Sequence, residues 1–228
     1  MRTFAISDIH GCNRTLSALL AQIDLQKKDE LFLLGDYIDR GSGSKGVLDQ
    51  ILRMRAQGYQ VHCLLGNHEA MLLHAYQQPE SLEARSWVYY NGGENTLNSF
   101  GVQSVKDIPI KYIELIQSMD HYLLKDKFIF VHAGLNFDKI NPLSDRETML
   151  WSFEDSPRIN REWLKDRLIV HGHRIRTRTQ IKANIERLES FPMLGIDNGC
   201  VYQKRGYHQL CALELNSMEL SFHENIDV

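Results

Sequence analysis

The sequence lacks long hydrophobic runs and has no strong excess of one charge. Its apolar runs, such as residues 31–34 and 128–131, fall far short of the roughly 20 residues that a membrane-spanning helix needs. The 26 basic and 29 acidic residues leave a formal net charge of −3, whereas nucleic acid and anionic membranes call for a basic surface. We therefore expect neither a membrane nor a nucleic acid among the partners of this protein.

Cysteine is scarce and is not arranged for metal or disulfide chemistry. The amino terminus reaches Asp8 and His10 too soon to contain the apolar core of a signal peptide. Free thiols without an export signal are typical of the reducing cytoplasm, where we place the protein. The scattered cysteines are expected to be small buried apolar residues, with no Cys-x-x-Cys pair among them: Cys12, Cys63, Cys200 and Cys211.

The chain also lacks internal repeats, low-complexity tracts and linkers rich in proline or serine. With 228 residues, of which 43% are hydrophobic and 24% charged, it has the size and composition of one globular domain. A chain of this length buries about 70% of its unfolded surface, so it needs no metal or disulfide merely to fold. We predict a single domain over residues 1–228.

Hydrophobic patterning indicates a mixed α/β fold. Short apolar strands alternate with amphipathic helices in the first part of the chain, which is typical of a parallel sheet buried on both faces. The strands are predicted at 3–6, 31–34 and 59–65, and the helices at 13–23 and 45–57. Helices follow at 69–77, 81–90 and 110–119, and further strands at 127–131 and 168–170. The tail is read as antiparallel strands at 191–196, 201–202, 209–215 and 219–223. Two packed β-sheets flanked by helices are therefore expected.

Five of these apolar strands run directly into polar clusters. Ligands bind at the carboxyl ends of strands in open α/β sheets, so the clusters can converge on one site. They contain imidazole, carboxylate and carboxamide groups, a donor set that suits Mn, Fe or Zn better than Ca or Mg. A carboxylate can bridge two cations about 3.5–4 Å apart, as in two-metal hydrolases. The residues themselves thus point to a dinuclear hydrolytic centre.

The clusters resemble the five signature blocks of the calcineurin-like metallophosphoesterases, in order and in spacing. The blocks are Ser-Asp-Ile-His-Gly at 7–11, Gly-Asp-Tyr-Ile-Asp-Arg-Gly at 35–41, Gly-Asn-His-Glu at 66–69, His-Ala-Gly at 132–134 and Gly-His at 172–173. Asn-Gly-Gly at 91–93 and Ile-Asp-Asn-Gly at 196–199 are also similar to the short bacterial and phage members of the phosphoprotein phosphatase branch. The resemblance implies an α-β-β-α sandwich of two mixed sheets.

The resemblance also implies a set of metal ligands. They are Asp8, His10, Asp36, Asn67, His132 and His173. The first two would bind one metal, the last three the other, and Asp36 would bridge both. Two divalent ions are implied, Mn²⁺ in the first place with Fe or Zn as alternatives. His171 is given a supporting role, because the family places its ligand after the glycine.

For catalysis the resemblance implies that His68 is the general acid and that Asp39 orients its imidazole. Arg40 would hold phosphate oxygens with its fork of donors. A hydroxide held between the two metals would attack phosphorus in line, without a phosphoenzyme. Glu69 is expected to support the start of the following helix, where an acidic side chain suits the helix dipole.

Two positions depart from the family pattern. Ser7 stands where the family usually has glycine, a small change from which we expect little. The short bacterial members carry an arginine two residues after the tryptophan of a Leu-Trp segment, where it grips the substrate phosphate. Phe153 occupies that position here, and Arg146 or Arg158 could take over its task.

The first expectation is a phosphomonoesterase that acts on phosphoserine or phosphothreonine in proteins, with phosphotyrosine as a further substrate. A dinucleoside polyphosphate hydrolase, similar to diadenosine tetraphosphatases, is the runner-up. Those relatives usually read Asn-His-Asp in the third block and are longer, whereas this chain has Asn-His-Glu.

Three weaker alternatives concern the class of protein and the role of a basic segment. A metal-binding module without catalysis is disfavoured because no implied ligand or acid is missing. A nucleic-acid phosphodiesterase is disfavoured by the near-neutral charge. The basic segment at 174–178 could guide an acidic substrate, although a solvated edge is the default reading.

Overall fold

Two mixed β-sheets lie face to face at the centre of the fold in the computed structural model, which describes residues 1–152 and 158–227. The strands are β1 Thr3–Ile6, β2 Glu30–Leu33, β3 Gln60–Cys63, β4 Tyr122–Lys125, β5 Phe128–Val131, β6 Leu168–His171, β7 Met193–Gly195, β8 Gln209–Glu214 and β9 Glu219–Glu224. The helices are α1 Asn13–Gln22, α2 Ser44–Ala56, α3 Asn67–Gln77, α4 Leu82–Tyr90, α5 Gly93–Phe100, α6 Ile110–Gln117, α7 Arg146–Trp151, α8 Arg161–Leu164 and α9 Arg178–Glu186.

The strand orders explain how the site is assembled. The first sheet has the order β3-β2-β1-β8-β9. In it β1, β2 and β3 are parallel, β8 runs antiparallel to β1, and β9 runs antiparallel to β8. The second has the order β4-β5-β6-β7, in which β5, β6 and β7 are parallel. The carboxyl ends of β1, β2, β3, β5 and β6 carry the loops with the polar clusters, as the general rule for α/β sheets requires.

Alternating residues of the inner strands supply two separate cores. In β2, Leu31 and Leu33 pack with the helices on the outer face of the first sheet, whereas Phe32 faces the second sheet. The Phe32 ring stacks on Phe130 of β5, with ring centroids 4.3 Å apart. A third cluster lies behind the second sheet and contains Met149 and Leu164. The layers are therefore helix, sheet, sheet and helix, as expected for the metallophosphoesterase fold.

The structure confirms the early strands and helices and corrects the tail. The tail strand β7 is parallel to β6, with Ile169 opposite Met193, instead of antiparallel. Residues 201–202 form no strand, because the chain turns at Gly199 and the Tyr202 amide donates to its carbonyl at 2.9 Å. Strand β4 and helices α5, α7, α8 and α9 were not predicted; each has fewer than ten residues.

The cysteines behave as expected, and all four are buried without a disulfide. Within residues 1–152 and 158–227, no helix combines the length and the apolar character that crossing a membrane would require.

Candidate metal centre

Donor atoms from the five loops meet in two groups that share one residue. His10, Asp36 and His68 form one group, and Asp36, His132 and His173 form the other. Within each group the ligand atoms all lie within 4.8 Å of one another. Asp36 is 2% exposed, and its Oδ2 lies 3.5 Å from His10 Nε2 while its Oδ1 lies 3.5 Å from His132 Nε2. Each carboxylate oxygen thus faces a different set of donors, which is the arrangement that a bridging ligand needs.

Hydrogen bonds at one ring nitrogen orient His10 and His132 as ligands. His10 Nδ1 donates to the carbonyl of Ile38 at 3.0 Å, and His132 Nδ1 donates to the carbonyl of Leu34 at 2.8 Å. These bonds leave the lone pair of Nε2 facing the centre, as in other metal sites whose second ring nitrogen is tied to a carbonyl. Burial, together with the nearby Arg40 guanidinium, lowers the pKa of His10 well below its usual value. Burial also lowers the pKa of His173 to about 3.

The carboxamide of Asn67 fits a cation as well. Its oxygen lies 2.9 Å from His132 Nε2, among acceptor atoms of Asp36 and His173. In the opposite orientation its amide nitrogen would donate to Asp36 Oδ2 and His173 Nδ1, each at 3.2 Å. Since the orientation of an amide follows from its neighbours, the oxygen-inward arrangement suits a bound cation and the other one suits the metal-free protein. The donor set is therefore compatible with divalent ions.

Asp8 belongs to the same site but not to either donor group. It lines a cavity of about 420 Å³ together with Asp36 and His173. Its Oδ1 accepts hydrogen bonds from Ser7 Oγ at 2.7 Å and from the His173 amide at 2.9 Å. Ser7, from which little was expected, thus orients the first acidic residue. A side chain at Gly172 would overlap the Asp8 carboxylate, which explains the glycine before His173.

His68 and Asp39 form a buried pair at the edge of the centre. His68 Nδ1 donates to Asp39 Oδ2 at 2.7 Å, while His68 Nε2 lies 4.0 Å from Asp36 Oδ2. Burial lowers the pKa of His68, but the charge of Asp36 and the hydrogen bond to Asp39 outweigh it, so the net shift is upward. The geometry allows His68 Nε2 to serve as a proton donor or as a further ligand.

Sequence reasoning missed two side chains that hold Asp39. Trp87 Nε1 donates to Asp39 Oδ2 at 2.8 Å, and Thr96 Oγ1 donates to Asp39 Oδ1 at 2.5 Å. They flank the Asn-Gly-Gly segment at 91–93, which the family resemblance had marked without giving it a task. A tryptophan at helical spacing predicts a residue of the hydrophobic core, so nothing in the sequence indicated a hydrogen bond from Trp87 to Asp39.

Glu69 lies in the first turn of helix α3 and also contacts the loop that contains Asp36. Its carboxylate is fully buried and accepts hydrogen bonds from the amides of Asp36 and Tyr37 at 2.8 Å, Gly66 at 3.1 Å and Ile38 at 3.2 Å. Burial raises its pKa to about 8, and the amide donors act in the opposite direction by stabilising the carboxylate. Glu69 therefore fixes the backbone of the loop that presents Asp36.

Left-handed backbone conformations are concentrated at the site. The implied site residues with positive φ are His10 (45°), Asp36 (53°), Asp39 (70°), Arg40 (65°) and His173 (61°). Such a conformation costs of order 1–3 kcal/mol for a residue with a side chain, and persists only where the surroundings impose it. The contacts around the loops that contain these residues therefore offset the cost of their backbone conformations.

The cavity beside the centre is basic and partly aromatic. Arg40 Nη1 lies 2.8 Å from His10 Nε2, and its guanidinium is 5.7 Å from the centroid of the Tyr202 ring. Arg174 and Arg176, from the basic segment, line the same cavity as Arg40, together with Tyr207. This segment is thus part of the site and not a merely solvated edge.

Within the described part of the chain, neither arginine considered as a substitute for the family's phosphate grip lines the cavity at the centre. Arg146 lines a different cavity, beside His121, and Arg158 is exposed. Phe153 lies outside the described residues. His171 is buried with its Nδ1 near the Gly172 carbonyl at 2.9 Å, and it belongs to neither donor group among the described residues.

Residues 1–196 match the family model described as calcineurin-like phosphoesterase. The chain belongs to this family. The resemblance found in the sequence is thereby confirmed, and the protein is a hydrolase of the metallophosphoesterase type. The calcineurin-like phosphoesterases use divalent metals, and the described residues include the histidine and aspartate groups that can bind them.

The curated relatives match only part of the chain. The chain is 43% identical over 77 residues to a symmetrical bis(5'-nucleosyl)-tetraphosphatase of Serratia proteamaculans, a match that covers 33% of this chain and 26% of that protein. It therefore spans only about a quarter of the length of this curated relative.

Two solved structures share the fold over nearly the whole chain. A putative diadenosine tetraphosphatase aligns with a TM-score of 0.62 and 20% identity, covering 97% of this chain and 92% of the other. A protein serine/threonine phosphatase from Saccharomyces cerevisiae aligns with a TM-score of 0.64 and 14% identity, covering 99% and 80%. At these identities the likeness concerns the fold alone.

Proposed function

We propose that the protein hydrolyses phosphomonoesters at a centre of two divalent metal ions, with phosphoserine or phosphothreonine in proteins as the first substrate class. The observation that carries this proposal is the position of Asp36, whose two oxygens face separate histidine groups. Mn²⁺ is the first choice of metal, and Fe or Zn is the alternative, because the donors mix imidazole, carboxylate and carboxamide.

Six residues would hold the metals: Asp8, His10, Asp36, Asn67, His132 and His173. Bound there, two divalent cations supply Lewis acidity and lower the pKa of water towards neutrality. Burial favours the neutral forms of His10 and His173, and the loop contacts of Glu69 hold Asp36. Arg40 lies within reach of the centre through its contact with His10, and on release from Nε2 its guanidinium can bind phosphate oxygens.

The buried His68–Asp39 pair favours an ester over an anhydride. A serine or threonine alkoxide is a strongly basic leaving group and gains from a positioned acid. A phosphate leaving group of a polyphosphate chain is weakly basic and needs no such acid. His68, whose Nδ1 is bonded to Asp39, is proposed to deliver that proton from Nε2.

Dinucleoside polyphosphates form a second candidate substrate class. Arg174 and Arg176 line the cavity in addition to Arg40, which suits a chain of several phosphates. Tyr202 and Tyr207 line it too, and aromatic rings can stack on nucleobases. Names of both curated and structural relatives refer to such substrates.

One experiment separates the two classes. The same Mn²⁺-loaded preparation is assayed with phosphoserine and phosphothreonine peptides and with diadenosine tetraphosphate, and kcat/KM is compared. We expect the phosphopeptides to be preferred, and a phosphotyrosine peptide measures the breadth of that preference. A higher kcat/KM for the dinucleotide would overturn the first choice and support the second.

A further inference from the structure

We propose that Trp87 and Thr96 are positioning residues that fix the Asp39 carboxylate and, through it, the ring of His68. The inference rests on the proposed function of His68 as the proton donor to the leaving group. It assigns a task to helices α4 and α5, which carry none of the implied ligands.

The Asp39 carboxylate accepts hydrogen bonds from three side chains. Its Oδ2 accepts from His68 Nδ1 at 2.7 Å and from Trp87 Nε1 at 2.8 Å, and its Oδ1 accepts from Thr96 Oγ1 at 2.5 Å. Asp39, Trp87 and Thr96 are each 0% exposed. Loss of Thr96 Oγ1 would leave the buried Oδ1 without its donor, and loss of Trp87 Nε1 would leave Oδ2 held by His68 alone.

The chemistry of the donors sets the direction of every bond in this cluster. An indole N–H can only donate, so Trp87 fixes Oδ2 as an acceptor. Thr96 Oγ1 accepts from the Asp39 amide at 2.9 Å and lies 3.1 Å from Ser44 Oγ. Because a carboxylate oxygen can only accept, the contact with Oδ1 takes the Thr96 proton, and Ser44 Oγ is then the donor to Thr96. With both carboxylate oxygens acting as acceptors, His68 must carry its proton on Nδ1 and turn Nε2 to the centre.

The Asn-Gly-Gly turn packs closely against Trp87 on one side and against the loop that contains Asp39 on the other. An added methyl group at Gly93 would lie 2.6 Å from ring atoms of Trp87, and one at Gly92 would lie 2.5 Å from the Arg40 amide nitrogen. Asn95 Nδ2 also donates to the Arg40 carbonyl. The spacing of Trp87, the two glycines and Thr96 thus brings two donors to one carboxylate.

A purely structural role for the buried Trp87 predicts a different result from a positioning role. General structural damage lowers the rate with every substrate, whereas a misplaced acid lowers it most where the leaving group is strongly basic. Para-nitrophenolate is weakly basic and a serine alkoxide is strongly basic, so the two leaving groups report on the position of His68.

The experiment compares Trp87→Phe and Thr96→Val with wild type on para-nitrophenyl phosphate and on a phosphoserine peptide. Thr96→Val keeps the shape of the side chain and removes the donor, and Thr96→Ser restores it. Trp163→Phe, in which the half-buried ring packs against Phe137 behind the second sheet, is the control for loss of an indole outside the site. Bound metal and thermal unfolding are measured for each variant.

We expect kcat for the phosphopeptide to fall about tenfold or more in both variants, since a positioned acid contributes on the order of 100-fold or more. The loss with para-nitrophenyl phosphate should be much smaller, KM and metal content should stay near wild type, and Thr96→Ser should recover the peptide rate. Equal losses with both substrates, or no loss in Thr96→Val, would overturn the positioning role.

A second readout is independent of activity. In the wild type the Hδ1 proton of His68 should give a downfield NMR signal that exchanges slowly with water, and both variants should broaden or lose it. An unchanged signal in both variants refutes the inference. Wild-type protein that binds metal but cleaves no phosphoester contradicts the proposed function instead, while the NMR comparison still decides whether the two residues hold His68.

Discussion

The carboxylate of Asp36 lies between two histidines that approach different oxygen atoms, each at 3.5 Å. It is held there by backbone contacts of its loop to Glu69 and by the His68 amide, which donates to Asp36 Oδ1 at 3.1 Å. The left-handed conformation of Asp36 is therefore imposed by its neighbours. A residue held in this way is expected to matter for metal binding before it matters for any chemical step.

Substitution of Asp36 and of His68 should separate binding from chemistry. Asp36→Ala removes the shared carboxylate, so we expect loss of bound metal together with activity. His68→Asn should lose activity, by about 100-fold or more for a general acid, while it keeps its metal. Metal is measured by elemental analysis after gel filtration. Equal metal content in Asp36→Ala and wild type would refute the bridging role, and metal loss in His68→Asn would make His68 a ligand.

At this scale the sequence predicts which residues meet but not what holds them. The implied ligands follow strand ends and glycines, so a local pattern identifies them. The contact of Trp87 with Asp39 joins residues 48 positions apart. In the sequence, a tryptophan among apolar neighbours predicts only a buried residue of the hydrophobic core. The amide contacts of Glu69 likewise depend on how the loop of Asp36 folds over helix α3, which periodicity does not encode.

Among the elements, the early strands were predictable and the late ones less so. Strands β1, β2 and β3 pair with their neighbours in the chain through short helical crossovers, so local patterning is sufficient. Strand β8 instead pairs with β1, about 200 residues earlier, with Ala5 opposite Leu213. Strand β7 is three residues long and joins β6 in parallel, so its partner is decided by tertiary packing and not by its own pattern.

The two glycines that flank helix α5 offer a matched test of how this element supports the site. Gly92 (φ 88°) and Gly101 (φ 69°) both have left-handed conformations. Alanine at Gly101 meets no atom of residues 1–152 or 158–227 within 4 Å and should cost only about 1–2 kcal/mol of unfolding free energy. Alanine at Gly92 also presses on the Arg40 backbone, so we expect a larger loss of stability and a loss of activity.

The comparison uses urea unfolding and the phosphopeptide assay on the two variants. Because the backbone strain is common to both, the difference between them measures the contact with the Arg40 loop. Equal stability and equal activity of Gly92→Ala and Gly101→Ala would show that helix α5 does not hold that loop.

For the molecule as a whole, acid stability depends partly on the anchoring of the amino terminus. Asp29 is buried, and its carboxylate accepts from the Arg2 guanidinium, whose side chain is 40% exposed, and from the Arg2 and Gln26 amides. Burial opposes ionisation, but these bonds outweigh it and lower the pKa of Asp29 to about 2. A depressed carboxyl pKa stabilises the fold above the usual pKa, and this contribution is lost as pH falls towards 2.

Asp29→Asn should therefore lower the free energy of unfolding by about 1–2 kcal/mol at pH 7, a range that allows for solvent screening of Arg2. The deficit relative to wild type should shrink as pH falls from about 4 towards 2. Urea unfolding from pH 7 to about pH 2 provides the measurement, with Asp138→Asn at an exposed position as the control. A deficit that does not change with pH would exclude the ionised carboxylate as its cause.

The net charge of the whole molecule does not describe the charge around the candidate metal centre. The formal net charge is −3, yet the cavity at the centre is lined by Arg40, Arg174 and Arg176. The proposed cations would add positive charge beside these side chains, where a phosphate group would bind. A formal net charge of −3 therefore does not argue against a phosphorylated substrate.

The most direct test of the account is phosphatase activity after complete chelation and stepwise return of metal. The protein is treated with chelator until elemental analysis finds no Mn, Fe or Zn, and activity on a phosphoserine peptide is followed as Mn²⁺, Fe²⁺, Zn²⁺ or Mg²⁺ is added. We expect no activity without metal and recovery that saturates near two ions per chain, with Mn²⁺ most effective. Activity that survives complete metal removal would contradict the account.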